Sequence, residues 1–471
     1  MKNKLASPRA ASAAIVLVTL AFASLGLGLA EAQGPLTKVD ASFLRNSTST
    51  TNNSLAVSAN FHVTNSMVQA LGTAVRSGTT VASITITNKG TGYVSPPLVT
   101  ISGGGGSGAA ATAYIDGEGH VVSIVMDNVG TNYTSTPTVV ISAPAPGGVG
   151  SSLRINTDIS ANRTLTLDGN RTVGHMILGD LSSTQAYTIA SGTGGSLIFD
   201  NAGNGGGAFL NKFQGGADVI AAPIVLNDTL NIRVTTNRLT LSDTITGSQL
   251  LTSYGNGVLS ITGNNTNSDF TLWLWNKGAG NSNAQVELGA TVGNAVGGNI
   301  IIGNASLGTS GHAVLQLLQG RSNLDQIKDT STVMFNSYSG SGRNNYFKLM
   351  GGNETVGRIL DLGSLAVIEN RESEGVTTAA KLTIAGNEDS YVTGYIRDNS
   401  GNNLAQADAD GSAGTRGLAI EKQGTGGLTM QGNNIIFTGG LKVSAGTVTL
   451  KQTLNFRSDV VNNGTLIFDT G

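Results

Sequence analysis

The aromatic residues that could contact a sugar are the most distinctive chemical groups of this chain. Trp273 and Trp275 stand in "TLWLWN", where a β-strand would place both side chains on one face. Tyr93 and Tyr133 recur in two related segments, "KGTGYVSP" and "VGTNYTST". Because aromatic rings offer flat amphipathic surfaces, these four residues are candidate glycan contacts. Two packing alternatives stand beside this reading: the tryptophans pack inward or cover a corner, and the tyrosines close hairpin ends.

Residues suited to catalysis or metal binding are scattered. Asp408-Ala-Asp410-Gly411 supplies half of a calcium loop but lacks the third acid and the distal glutamate. The densest cluster of acidic and basic residues lies in a single loop. A polysaccharide-cleaving β-helix instead needs its carboxylates, alone or together with Lys and Arg, on one sheet face. The cluster is Arg321, Asp325, Lys328 and Asp329, and the histidines are His62, His120, His175 and His312. The sequence therefore predicts no catalytic residue, no metal site and no cofactor.

Composition limits both the fold and the partners. The 471 residues carry a net charge of -2 and 12% charged residues, so no electrostatic attraction to nucleic acid or to an anionic membrane is expected. Glycine accounts for 66 residues and proline for only 8, without the three-residue period of collagen. These values indicate an all-β chain with many turns.

The N-terminus has the pattern of an export signal. Lys2, Lys4 and Arg9 precede an apolar run that ends near Ala30, and small residues stand at Ala30 and Ala32. This arrangement predicts a signal peptide over residues 1–32, with an uncleaved anchor as the alternative. We expect a mature chain that begins at residue 33 and does not span a membrane. Because the chain has no cysteine, it has no disulfides to stabilise it.

An internal repeat occupies residues 79–146, after a Ser/Thr/Asn-rich lead-in over residues 33–78. "SITITNKGTGYVSPPLVTIS" begins at Ser83 and "SIVMDNVGTNYTSTPTVVIS" begins at Ser123, 40 residues later. Each copy reads as strand, turn and strand, and a glycine-rich hairpin joins them. The copies resemble tandem repeats of some large bacterial surface proteins and phage structural proteins. The sequence therefore predicts a small tandem-repeat β region.

Residues 147–471 return repeatedly to one short phrase. It appears as "LTLDGN" at Leu165, "LSITGNN" at Leu259, "LTIAGN" at Leu382 and "LTMQGNN" at Leu428. Each is a period-2 strand followed by glycine and asparagine, the two residues that most readily adopt positive φ. Strands this short cannot bury an apolar face alone, but stacked coils share a continuous core. A right-handed parallel β-helix, or solenoid, is predicted, with a β-sandwich as the alternative.

The segment "KQGTGGLTMQGNNIIFTGGLKVSAGTVTL", Lys422 to Leu450, resembles the autotransporter-associated β-strand repeat. Upstream residues from Glu354 to Ala405 resemble the segment that commonly precedes that repeat, so the similarity covers about residues 353–450. The resemblance implies a secreted, passenger-type β-helix at a bacterial cell surface, associated with the outer membrane. Because autotransporters end in a membrane β-barrel, we expect either a longer chain or another anchoring device.

Two functions follow from these patterns. The first is a non-enzymatic extracellular β-solenoid that serves as structural passenger, spacer or adhesin, with cell-surface glycans or other surface proteins as partners and no role for nucleic acid. The alternative is a carbohydrate-active β-helix enzyme, either a polysaccharide lyase or a glycoside hydrolase. The lack of clustered catalytic residues in the sequence favours the first.

Overall fold

All regular structure in the described residues is β-strand, which confirms the predicted all-β class. Within that part of the chain, no helix is long and apolar enough to cross a membrane. The structure, a computed structural model, describes residues 53–54 and 68–469 except 91–92, 94–95, 116–119, 144–149, 151, 156–157, 168–169, 182–183, 193, 202–206, 277–282, 306–310, 321–324, 338–343, 364, 371–375, 377, 399–416, 433, 454–455 and 457.

The repeat region is built from three antiparallel strand pairs. Its strands are Leu71–Ser77, Thr80–Asn88, Val99–Ser102, Ser107–Ile115, Val121–Thr131 and Thr138–Ile141. Each copy contributes one hairpin, and the first hairpin includes residues that the sequence analysis assigned to the lead-in. The third pair joins the copies, because Thr100 pairs with Val140, its equivalent in the repeat. The two copies are therefore related by a local two-fold axis through this pair.

From Ser152 onward the chain winds through three parallel sheets, which we call face 1, face 2 and face 3. Face 1 has thirteen strands: Ser152–Ile155, His175–Leu178, Ala208–Lys212, Leu230–Val234, Leu250–Tyr254, Thr271–Leu274, Ile300–Ile302, Thr332–Phe335, Arg358–Asp361, Ser390–Val392, Gly427–Gln431, Thr447–Lys451 and Thr465–Asp469. The strands of face 1 pair in parallel from one coil to the next, so the parallel β-helix is confirmed and the sandwich alternative is wrong.

Face 2 has twelve strands, and the first comes from the lead-in. They are Asn53–Ser54, Arg163–Thr166, Tyr187–Ala190, Asp218–Ala221, Arg238–Leu241, Val258–Ile261, Asn283–Leu288, His312–Leu317, Asn345–Lys348, Ala366–Glu369, Tyr395–Arg397 and Ile435–Ile436. Asn53 pairs with Leu165, so the lead-in adds a strand next to the first full coil of this face.

Face 3 consists of two shorter sheets. The first contains Arg171–Val173, Leu197–Phe199, Ile224–Leu226 and Ile245–Thr246, and the second contains Asn353–Val356, Ala380–Ile384, Leu418–Lys422, Leu441–Val443 and Val460–Asn462. A single parallel bridge between Val296 and Ile327 lies in the chain between them.

The core lies between the three faces. Because successive side chains of a strand point to opposite sides, each short strand sends two or three apolar residues inward. Leu428 and Met430 are buried and Thr429 between them is half-exposed, as their alternation predicts. The inward residues form one continuous cluster from Leu153 to Leu450. Each coil is therefore completed by its neighbours, since it shares their apolar surface.

Glycine turns the chain sharply at the corners of the coils. Gly424 has φ +67°, and a Cβ there would collide with the carbonyl oxygen of Ala385 in the preceding coil. Many other corner glycines also have positive φ, as the sequence predicts. In the described solenoid residues, Asn237 is the one asparagine with positive φ.

At the corners, asparagine acts mainly through side-chain hydrogen bonds and not through positive φ, which corrects the expectation from the sequence. The side-chain oxygen of Asn265 accepts the backbone N–H of Ile245 at 2.6 Å, one coil away. Asn387 accepts the backbone N–H of Thr425 at 3.1 Å in the same manner. These bonds satisfy backbone donors that lie beyond the ends of the short strands. Asparagine therefore joins adjacent coils at positions where glycine bends one coil.

Candidate functional site

The two candidate tyrosines lie inside the repeat region. The hydroxyl of Tyr93 accepts the backbone N–H of Ala70 at 2.7 Å and donates to the carbonyl of Ser142 at 2.8 Å. Both Tyr93 and Tyr133 are only 2% exposed. Their rings present no face that a sugar could stack on, so the geometry fits the alternative in which they close hairpin ends.

The Gly-x-x-Tyr spacing of the repeat has a steric origin. A Cβ built on Gly90 would lie 2.8 Å from Cε2 of the Tyr93 ring, and one on Gly130 would lie 2.8 Å from Cε2 of Tyr133. Both glycines also have positive φ, +64° and +63°. The backbone turns directly against the aromatic ring in each copy, which leaves no space for a side chain.

The tryptophans belong to an aromatic cluster on the outer side of face 1, formed by Tyr254, Trp273 and Trp275. The ring of Trp275 stacks on that of Tyr254, with centroids 5.1 Å apart and planes inclined by 15°. The ring centroid of Trp273 lies 6.1 Å from that of Trp275. Trp275 is 4% exposed and its indole is covered by these neighbours, whereas Trp273 and Tyr254 are half-buried.

Trp273 is held in place by a hydrogen bond to the adjacent coil. Its Nε1 donates to the carbonyl oxygen of Gly303 at 2.7 Å. A sugar that stacked on this ring would therefore meet a fixed surface, without an ordering cost for the side chain. Of the two tryptophans, Trp273 keeps an accessible surface for glycan contact.

The loop cluster that the sequence analysis singled out contains a further carboxyl group. Arg321 lies outside the described residues, and Lys328 pairs with the exposed Asp269 at 3.4 Å. Asp325 hydrogen-bonds the carboxyl of Glu354, which is 1% exposed and was not a sequence candidate. Burial raises the pKa of Glu354 well above its usual value, and the neighbouring Asp325 adds to this.

Glu354 is fixed to the backbone of this corner. Its Oε2 accepts the N–H of Gln326 at 2.9 Å and its Oε1 accepts the N–H of Ile327 at 3.0 Å. Burial also raises the pKa of Asp329, and so does the adjacent Asp325. Since both oxygens of Glu354 accept backbone hydrogen bonds, the side chain shapes the corner and is not aimed at a substrate.

A charged column on the outer side of face 2 is the feature that sequence reasoning missed. Its members are register partners in five successive coils. They are Glu287, Gln316, Lys348, Glu369 and Arg397. This arrangement places carboxylates together with Lys and Arg on one sheet face, which the sequence did not indicate.

The two carboxylates of the charged column each form an ion pair with an arginine. Nε of Arg397 lies 2.9 Å from Oε2 of Glu369, and both side chains are almost fully buried. The Arg397 guanidinium also lies over the ring of Tyr395, 5.2 Å from its centroid. At the other end, Arg238 pairs with Glu287. The pair of Arg397 and Glu369 therefore joins neighbouring coils, whereas the cation–π contact with Tyr395 lies within one strand.

The spacing of the two carboxylates in the charged column does not suit glycoside hydrolysis. Glu287 and Glu369 are three strand spacings apart, which corresponds to about 14 Å. Glycosidases hold their two carboxyl groups about 5–9.5 Å apart. The column is therefore better suited to joining coils than to cleaving a glycosidic bond between these residues.

A comparable charged group lies on the outer side of face 3, around Glu421. Oε1 of Glu421 lies 2.9 Å from Nζ of Lys442, and Oε2 lies 3.3 Å from Nζ of Lys381. Burial alone would raise the pKa of Glu421, but hydrogen bonds from Gln423, Lys442, Ser444 and Lys381 together lower this pKa to about 2. The carboxylate thus joins three successive coils of this face.

The histidines lie apart from these groups. His175 on face 1 contacts the ring of Phe209, and burial lowers its pKa. His312 on face 2 contacts the carbonyl of Asn344 through Nδ1 at 2.8 Å. Among the described residues, no three His, Cys, Asp or Glu side chains are placed to hold a metal ion. The predicted half of a calcium loop at residues 408–411, like His62, lies outside them.

Scans against models of known protein families, curated proteins and solved structures find no match to this chain.

Proposed function

We propose that this chain is a non-enzymatic extracellular β-solenoid of a bacterial cell surface, where it serves as structural passenger, spacer or adhesin. The observation that carries the proposal is the continuity of face 1. Its thirteen parallel strands give twelve spacings and a stack of about 58 Å. A stack in which each coil completes its neighbours holds its two ends at a fixed separation, which is what a spacer requires.

The distribution of charge supports a structural role. In the charged column and around Glu421, carboxylates and cations bind one another across coils. Such pairs fix the register between neighbouring strands, which slips easily where side chains on one face are interchangeable. Export is part of the proposal, because residues 1–32 have a signal-peptide pattern.

Cell-surface glycans or other surface proteins are the partners that we propose. Trp273 and Tyr254 are half-buried aromatic residues on face 1, and their rings lie beside the covered ring of Trp275. A glycan array with the exported chain tests this part. We expect binding that Trp273→Ala weakens, while Thr429→Ala, on the same face but distant in the stack, leaves it unchanged. Equal binding by all three proteins would contradict a role for the aromatic cluster.

The alternative function, a carbohydrate-active enzyme, is favoured by one observation: carboxylates with Lys and Arg stand on one face of successive coils. Incubation of the purified chain with pectins and other acidic glycans distinguishes the two functions. Our proposal predicts neither new reducing ends nor unsaturated products. Turnover that is lost in Glu369→Gln and retained in Thr429→Ala would establish the enzyme instead.

A further inference from the structure

Lys212 and Asp218 form a fully buried ionisable pair inside the solenoid. Both side chains are 0% exposed, and Nζ of Lys212 lies 2.9 Å from Oδ2 of Asp218. Lys212 ends a strand of face 1 and Asp218 begins the next strand of face 2, so the pair spans one corner of a coil. Both side chains point inward, where apolar residues are expected.

The surroundings of the pair are apolar above and below. Lys212 stands in register between Leu178 and Val234. On face 2, Asp218 is the register partner of Leu239 in the next coil. In the preceding coil it stands next to the buried Tyr187, because Val219 pairs with Thr188. Burial of two charges in such a place is costly unless their partners satisfy them fully.

The amine of Lys212 and the carboxyl of Asp218 are held in a fixed orientation. Oδ1 of Asp218 accepts the backbone N–H of Tyr187 at 2.7 Å, and Nζ of Lys212 donates to the carbonyl of Gln214. Nζ of Lys212 lies at ion-pair distance from Oδ2 of Asp218. Because Cγ is bonded to Oδ2, this contact holds the amine nitrogen close to the carboxyl carbon, which favours attack.

The interior also disfavours the charged form of Asp218. Burial raises the pKa of Asp218, although hydrogen bonds from the Tyr187 N–H and from Lys212 oppose this, and the nearby carboxylate of Asp180 raises it further. Asp180 is itself held by backbone N–H groups, including that of Gln185 at 3.0 Å.

We propose that Lys212 and Asp218 condense to an intramolecular amide bond between Nζ and Cγ. The neutral amine attacks Cγ of the protonated carboxyl, an N–C bond forms, and the C–O bond to the hydroxyl breaks. The hydroxyl leaves with one proton from nitrogen as a single water molecule. The reaction needs no oxidant and no cofactor. The product carries no charge and covalently closes the corner between face 1 and face 2 in a chain without cysteine.

Lys422 provides an internal control. It is also 0% exposed and points inward, but its ammonium contacts the backbone carbonyls of Gly386, Gln423 and Gly424. Burial lowers the pKa of Lys422, which favours its neutral amine. In the described residues Lys422 makes no ion pair with a carboxylate, and it should stay unmodified.

Digestion of the denatured full chain with trypsin, read by mass spectrometry, tests the amide bond. We expect no cleavage after Lys212 and one peptide of residues 172–233 that lacks the mass of one water. Fragmentation should place the loss between Lys212 and Asp218, and cleavage after Lys422 should be complete. Lys212→Met and Asp218→Ala should each restore the full mass of the corresponding peptide. Complete cleavage after Lys212 in the native sequence, with both peptides at full mass, would overturn the proposal even if the variants fail to fold.

Discussion

The repeat region and the solenoid use short strands in opposite ways. In the repeat region two nearly equivalent copies pair antiparallel about a two-fold axis, with Thr100 opposite Val140. In the solenoid each strand pairs in parallel with strands of the coils before and after it, as Thr429 does with Tyr391 and Thr449. A two-fold pair is complete with two members, whereas a parallel stack can add coils without limit.

The cores reflect this difference. One small cluster of the repeat region combines Tyr93 and Val99 of the first copy with Val121 and Ile141 of the second. The solenoid has one long cluster in which distant coils share no contact. Damage to the repeat region should therefore unfold both copies together, while damage to the solenoid should stay local. Four experiments test this contrast, and the largest expected effect comes first.

Leu428→Asp should destabilise the C-terminal coils by several kcal/mol, because it places an unpaired carboxylate in a dry core. Leu428 is 1% exposed between the coils of Ser390 and Val448. Limited proteolysis with mass spectrometry should show cleavage near this site and continued protection around Leu165. Thr429→Asp on the outer side of the same strand is the control, with a change of about 0.5 kcal/mol or less. Simultaneous loss of the whole chain would contradict local coupling.

Tyr93→Phe should destabilise the repeat region by about 1–3 kcal/mol, since it leaves the buried N–H of Ala70 and C=O of Ser142 without their partner. Because Ala70 and Ser142 lie at opposite ends of the region, hydrogen exchange should rise in both copies. Tyr114→Phe is the matched control, because Tyr114 is 50% exposed. Faster exchange confined to the first copy would show that the copies fold independently.

Glu354 should make the solenoid less stable as the pH rises. Burial raises its native pKa above the unfolded value of about 4.3. Its contribution to stability is therefore complete below about pH 4.3 and is lost as the pH rises through the native pKa. In Glu354→Gln, the urea midpoint of the solenoid should fall less as the pH rises above about 4.3. An unchanged profile would place the titration elsewhere.

Glu421 should act in the opposite direction. Hydrogen bonds lower its native pKa to about 2, so its contribution is present above about pH 4.3 and is lost as the pH falls through about 2. Glu421→Gln should lower the urea midpoint at neutral pH and reduce the loss of stability in acid. The repeat region should follow neither profile, because Glu354 and Glu421 both lie on face 3 of the solenoid. A parallel acid loss in both regions would contradict this assignment.

The strand pattern predicted the fold, but it did not predict which charged residues align on the outer side of the sheets. Period-2 phrases such as "LTMQGNN" show which residues point inward, and the burial of Leu428 and Met430 confirms them. The members of the charged column are separated by 29, 32, 21 and 28 residues, by subtraction of their numbers from Glu287 to Arg397. Unequal corner loops hide such a column from any fixed-period search.

The sequence also did not predict which aromatic side chains are exposed. Tyr93 and Trp275 stand in glycine-rich or polar surroundings that suggest a surface, yet their rings are covered by residues distant in sequence. For Tyr93 the close glycine was a usable signal, because Gly90 leaves the space that the ring fills. For Glu354 the sequence held no such signal, since its backbone partners at residues 326 and 327 come from the preceding coil.

The most direct test of the parallel stack uses pairs of introduced cysteines, which the natural chain lacks. Thr429→Cys with Thr449→Cys joins register partners one strand spacing apart, about 4.8 Å. Thr429→Cys with Ile467→Cys joins residues two spacings apart, about 9.6 Å, beyond the reach of a disulfide. With a mild oxidant, we expect efficient disulfide formation in the first pair and little in the second. Equal linkage of both pairs, or linkage of the second alone, would contradict the parallel, coil-by-coil register of face 1.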